Sequence, residues 1–417
     1  GDIVSGGATF GLRPTGPKQD GYGLWWIPIT DPASNARNAG GPSSHPRDGR
    51  RAPRILEGTS DIGAIEYTPY RVFTTGTNPT VPGTFAYAIQ QSGIDGAAPA
   101  YISFDISGSA VIASTASFVS NTGPMFIDGY TQEGSQVHGP RNVSSRFTGS
   151  ITPVIFDGMG STSPFLVFVP GYNDNEVSGL TMFDYSVGIR LDSDGNYIFG
   201  NHFGTNDDGT LAFAAIGHGV RGNSSSNNQI GGSRPYERNL FGSCNSHGIL
   251  FQGGSSANGA FGNIFGLTGD GVGSLSGLVP PPEYIRFESV TQPDIESNIM
   301  GFGNTGISVI NCDDPIVAYN VIGFEGDTAQ AAPMVAGIVL DNANLGAVSE
   351  NDVGNCAGIG ITLNNSTNVI VNHNHVGVTG DGFSAASNDI GVFLDGTINA
   401  SIDGNLISAN SSHGIRL

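Results

Sequence analysis

Residues 188–191 read GIRL, and the same four letters stand at 414–417. Between them a glycine followed by alternating apolar residues recurs as GVRG (219–222), GILF (248–251), GISV (306–309), GIVL (337–340), GIGITL (358–363) and GVFL (391–394). Successive starting glycines lie 31, 29, 58, 31, 21, 33 and 23 residues apart. The gap of 58 accommodates two units, with the middle one near Gly277 disguised by GLVPPPEYIRF (277–287). One such unit is too short to bury its own apolar face, so the units must stack on one another. Within the first, Ile189 and Leu191 face one way and Arg190 the other, because side chains alternate along a strand.

Units of this length, with short strands, Gly and Asn at corners and no helix between them, predict a right-handed parallel β-helix, an all-β solenoid. Tandem sandwiches would need hairpin signals, and leucine-rich repeats their Leu/Asn consensus. An Asn also precedes an apolar strand at Asn196, Asn298, Asn320, Asn368 and Asn405. Asn tolerates the left-handed corner conformation, and stacked amides can bond from coil to coil. A third repeat is acidic: GNHFGTNDDGT (200–210), GNIFGLTGDG (262–271), NVIGFEGDT (320–328) and NHVGVTGDG (374–382). Asp-Gly is a turn signature by itself, so geometry accounts for these aspartates without chemistry.

Composition narrows the function classes. The 417 residues include 64 Gly, only 12% charged residues and a net charge of −20, and Lys18 is the only lysine. So acidic a chain repels phosphate backbones and anionic lipid, which argues against nucleic acid as a partner. No apolar run is long enough for a membrane helix, and no signal peptide is recognised. Cys244, Cys312 and Cys356 follow no metal-binding spacing and read as buried fillers, with one disulfide left open. Thr84 reads as the N-cap of a short amphipathic helix with Phe85, Ala88, Ile89 and Ser92 on one face, laid over the first coil. The far end, GIRL (414–417), reads as an open coil edge that another module or copy would shield.

Several phrases resemble those of right-handed parallel β-helix repeat proteins, the pectate-lyase-like superfamily that includes bacterial extracellular and surface proteins. They are NNQIGGSRPYERNLFGSCNSHGI (227–249), TFAYAIQQSG (84–93) with YISFDISGSAVI (101–112), and IDGYTQEG (127–134). Residues 71–417 are the expected β-helix. Residues 1–70 resemble the closing segment of a preceding surface module, through Asp48, Gly49, Arg54 and Asp61-Ile62-Gly63. The resemblance implies a module of a larger bacterial surface or filament protein, structural or adhesive, self-associating through β-helix ends or joined to further modules. Removal of residues 1–70 is then expected to weaken self-association. The same fold also carries lyases and hydrolases of acidic polysaccharide and glycan-binding modules, so those alternatives stay open.

The strongest local cluster is Arg190, Asp192, Asp194, His202, Asp207, Asp208, His218 and Arg221. Arg190 and Arg221 hold the same outward place one coil apart and would grip an acidic sugar chain, with Asp192 and Asp194 beside them. Asp207, Asp208, Arg190, Arg221 and His218 are the candidate catalytic groups for an enzyme. Asp192, Asp194, Asp207 and Asp208 are the candidate calcium ligands, although the bidentate Glu of a calcium loop is missing. Gly217-His218-Gly219 and Asn311-Cys312-Asp313-Asp314 look like polygalacturonase pieces in the wrong order, with no RIK motif following. His218, His247 and His413 precede strand-start glycines at a permissive corner, and Phe393 and Tyr284 are expected to be exposed aromatics.

Overall fold

The computed structural model describes residues 70–96, 99–139, 149–326 and 330–417, together with the backbone of two short antiparallel strands, Lys18–Gln19 and Trp25–Trp26. The proposed terminator positions between Asp48 and Gly63 lie outside the described residues, as do Asp327 and Thr328 of the third acidic phrase.

From Tyr70 onward the chain winds through three long parallel sheets. The first has 12 strands, from Tyr70–Val72 to Ser401–Asp403; the second has 11, from Val111–Ala113 to Leu406–Ile407; the third has 11, from Phe118–Ser120 to His413–Arg416. One coil visits the three in turn, as in Glu176–Ser178, Leu180–Phe183 and Val187–Leu191. Each strand then pairs with its counterpart one coil later. Ile189, Val220, Ile249 and Ile285 stack in register and are fully buried. Each such side chain contributes about 1.5–3 kcal/mol of burial.

The glycine that opens each third-sheet strand is a packing requirement. A Cβ at Gly219 would lie 2.6 Å from both the Gly248 carbonyl oxygen and the Phe241 ring. Phe203, Phe241 and Phe265 are stacked beneath these glycines at 4.7 Å spacing. In the coil that interrupts the motif, Tyr284 occupies the equivalent place, since Ile249 pairs with Ile285. The register of that coil is therefore set at Tyr284 and not near Gly277. Tyr284 is buried, with its hydroxyl donating to the Gly301 carbonyl oxygen at 2.9 Å, which corrects its reading as an exposed aromatic.

Asparagines bind coil to coil in two ladders, not one. The longer runs through Asn201, Asn239, Asn263, Asn298, Asn320, Asn351, Asn374 and Asn405, each side-chain amide donating to the next Asn oxygen. It stands before the second sheet. The shorter, Asn175, Asn196, Asn228 and Asn258, stands before the first. Members of the ladders are not themselves left-handed; the residue ahead of them usually is, as at Ser297, Tyr319, Glu350 and His373. Asn368 is left-handed and exposed and belongs to neither of these ladders; it sits in a separate surface run, donating to Asn344 Oδ1 at 3.5 Å and accepting from Asn399 Nδ2 at 3.3 Å.

The helix Phe85–Ile94 forms as expected, with Thr84 Oγ1 accepting from the Tyr87 N–H at 3.1 Å. Phe85, Ala88, Ile89 and Ser92 are its buried residues, and Phe85 packs edge-on against Phe118, 4.9 Å between centroids. All three cysteines are free and buried. No helix among the described residues is long and apolar enough to cross a membrane.

Candidate functional site

The outward residues of the third sheet form lanes, because register is kept from coil to coil. One lane runs Arg190, Arg221, Leu250, Arg286, Ser308; the lane beside it runs Val187, His218, His247, Glu283, Thr305. Four coils thus bring three arginines, two histidines and a glutamate onto one face.

Glu283 is the hub. Its Oε2 meets His247 Nε2 at 3.1 Å and accepts from Arg286 Nη1 at 3.1 Å, and its Oε1 accepts from Ser308 Oγ at 2.8 Å. Burial alone would raise its pKa, but His247, Ser308 and Arg286 together outweigh that and hold it at about 2. Arg286 also grips Glu288 through Nε at 3.2 Å and Nη2 at 3.0 Å. Ser246 Oγ lies 3.0 Å from the other nitrogen of His247. His218 stacks on His247, ring centroids 5.3 Å apart and 7° from parallel. Burial, then His247, then Arg221 lower its pKa to about 4, so it is neutral at pH 7.

The residues singled out from the sequence fall into three places. Arg190 and Arg221 are in register as expected, but Arg190 is tied to Asp192 through Nη2 at 2.6 Å and Nε at 3.0 Å. Arg190, Asp192 and Asp194 line an open cleft of about 490 Å³ with Pro170 and Asn223, and Asp194 Oδ1 accepts from the Ser226 N–H at 2.7 Å. Asp207 and Asp208 lie at the opposite end of the third-sheet strands, in the turn that leads from His202–Phe203 to Ile216–Asn223. There Asp208 Oδ1 accepts from the Thr210 hydroxyl at 2.6 Å and its N–H at 3.1 Å. Asp270 and Asp381 likewise accept the N–H two residues on, from Val272 at 3.2 Å and Phe383 at 3.0 Å, and each takes the hydroxyl two residues before it, from Thr268 and Thr379, at 2.6 Å. These corners also stack, the Gly269 N–H donating to the Gly209 carbonyl oxygen at 2.8 Å and Gly326 to Gly271 at 2.9 Å. The acidic repeat therefore closes turns.

His202 points outward from the second sheet and is completely covered, with Nε2 2.6 Å from Ser150 Oγ and Nδ1 3.1 Å from the Asn206 carbonyl oxygen. Among the described residues no three His, Cys, Asp or Glu side chains converge as a metal-binding group. Glu283, Arg286 and Ser308 were not reached from the sequence. The signal was EYIRFE (283–288), a six-residue strand whose outward positions are all charged.

Residues 280–417 match the family described as periplasmic copper-binding protein (NosD). No curated protein matches the chain. Among solved structures, the crystal structure of the Dettilon tailspike protein is similar at 12% identity and a TM-score of 0.38, covering 82% of this chain and 66% of that one. The chain thus spans just under two thirds of that protein's length. From the sheets themselves, each strand bonded in parallel to its counterpart one coil on, the chain is a right-handed parallel β-helix repeat protein.

Proposed function

We propose that the chain is a rigid β-helix module of a bacterial protein held outside the cytoplasm, acting as a spacer that displays its third-sheet face. The observation that carries this reading is the unbroken asparagine ladder from Asn201 to Asn405. Amides that each donate to the Asn oxygen of the following coil lock each coil to the next, and a stack of 11 strands per sheet makes a rod of about 50 Å at the usual strand spacing. The periplasmic setting in the name of the matched family supports a place beyond the inner membrane. Adhesion and association between copies belong to the same proposal, as does calcium at Asp192, Asp194, Asp207 and Asp208.

Copper does not fit the described residues. Cys312 and Cys356 are buried, with burial pushing Cys356 up to about 12, and Met334 accepts from the Gly303 N–H at 3.1 Å within the core. The display role needs no copper.

The test has two arms. Cell fractionation of the full-length protein should place it in the envelope or the medium, and a cytoplasmic location overturns the reading. Incubation with acidic polysaccharides should release neither unsaturated ends nor reducing sugar. Sustained cleavage would replace the display role with an enzyme, and its loss in a D207A/D208A double variant would place the chemistry at the acidic turn.

A further inference from the structure

In so acidic a chain, a guanidinium without a partner stands out. Among the described arginines, Arg71, Arg190, Arg234 and Arg286 each face a carboxylate, Arg238 donates to the Gly262 carbonyl oxygen at 3.1 Å, and Arg416 lies over the Phe393 ring. Arg221 alone has no carboxylate, hydrogen-bond or ring partner, and its Nε is buried without an acceptor. Three residues earlier on the same strand, His218 Nδ1 is likewise buried and unpartnered. Buried polar atoms left open cost about 1–3 kcal/mol each, and native structures rarely tolerate two on one face of a strand.

The neighbours of this pair are already committed. Arg190, one coil before Arg221, is held by Asp192; His247, one coil after His218, is held by Glu283, which Arg286 and Ser308 also bind. The carboxylates on this face are therefore engaged elsewhere, and the register keeps them one coil or more from Arg221. What is missing between Arg221 and His218 is an acceptor with several lone pairs.

We infer that Arg221 and His218 form a binding site for an oxyanion, the carboxylate or sulfate group of an acidic glycan lying along the outer face of the third sheet. The guanidinium supplies a planar fork for two oxygens. The imidazole adds a donor once protonated, and Val187 and the His247 ring wall it on either side along its lane. The site stands whether the module only displays this face or also acts on what it binds.

The experiment is calorimetric titration of the described β-helix within the full chain with three probes: a galacturonic acid trimer, a sulfated trisaccharide and inorganic sulfate. Binding of at least one is expected, with Arg221→Gln weakening it at least tenfold while D403N, in the last strand of the first sheet, leaves it unchanged. The preferred probe identifies carboxylate or sulfate as the natural group. A second readout is the His218 ring in NMR. Its pKa starts near 4, set by burial, His247 and Arg221, with Glu283 one coil further on already bonded to His247. A bound anion should move it upward, and R221Q should abolish that movement. No binding of any probe, or equal binding by a folded R221Q protein, overturns the inference.

Discussion

The third sheet carries two different surfaces on one scaffold. Through the coils ending at Ser308 its outward lanes hold Arg190, Arg221, Arg286, His218, His247 and Glu283. From there to Phe393 the same lanes hold Ser308, Val339, Thr362 and Thr305, Ala336, Ile390. The inward positions do not change in kind: Ile189, Val220, Ile249 and Ile285 in the first half, Ile307, Ile338, Ile361 and Val392 in the second, all fully buried. Coil stacking is thus specified by what points inward and by the asparagines at the corners. Outward positions are released from that duty, and these two lanes carry charged groups in the four coils up to Arg286 and again at His413 and Arg416 in the last.

If that division is right, a lesion in the stacking should cost both halves equally. The most damaging single change is a methyl group at the strand-opening glycine. The added Cβ would fall 2.6 Å from the Gly248 carbonyl oxygen in Gly219→Ala, and 2.3 Å from the Gly360 carbonyl oxygen in Gly337→Ala. Neither obstacle is a flexible side-chain tip, so each variant should lose about 3–4 kcal/mol, read as a shift in the urea midpoint. A mild Gly337→Ala beside a severe Gly219→Ala would show that the second half is the looser solenoid.

The same asymmetry explains what was legible in the sequence. The glycine phrases and the apolar alternation gave the solenoid, because inward packing repeats and repetition is visible in one chain. Their physical reason was hidden, since the Phe203–Phe241–Phe265 stack that excludes a Cβ comes from a different sheet. One coil lacked the glycine, and placing its register near Gly277 instead of at Tyr284 concealed that Glu283 and Arg286 continue the lanes of His247 and Arg221. The histidines then looked like occupants of a tolerant corner. Arg190 and Arg221 were aligned correctly because both sit in intact copies of the motif. The two asparagine ladders were merged for a similar reason: Asn196 and Asn298 look alike in sequence but turn different corners.

A smaller effect tests the halves through their second sheet, whose outward lane holds His202 in the first half and Asp352 and His375 in the second. His202 is enclosed, and burial lowers its pKa to about 4, against raising contributions from the Asn206 carbonyl and Asp208. Because the folded value lies below the unfolded one near 6.5, the stability it supports is complete above pH 6.5 and is lost as pH falls toward 4. Over that interval the protein should lose about 3 kcal/mol to this residue. His202→Leu, which copies Leu240 one coil on, should flatten that part of the curve of unfolding free energy against pH. An unchanged slope would mean that acid first opens some other part of the molecule.

The least costly change separates the charged face from the scaffold beneath it. Glu283→Gln keeps the shape of the side chain but removes the charge that holds His247 and Arg286. Glu283 has a folded pKa of about 2 against about 4.5 unfolded, so its contribution is complete above pH 4.5 and vanishes as pH falls toward 2. The variant should therefore be on the order of 1–2 kcal/mol less stable at pH 7 and converge on the parent protein in strong acid. Arg286 stays on Glu288 through Nε and Nη2, but one carboxylate two coils from Arg221 is gone, so the variant should bind the acidic trimer at least as well as the parent. Weaker binding would mean that the Glu283 cluster positions His218 through the stacked His247 ring, and that the charged face works as one unit.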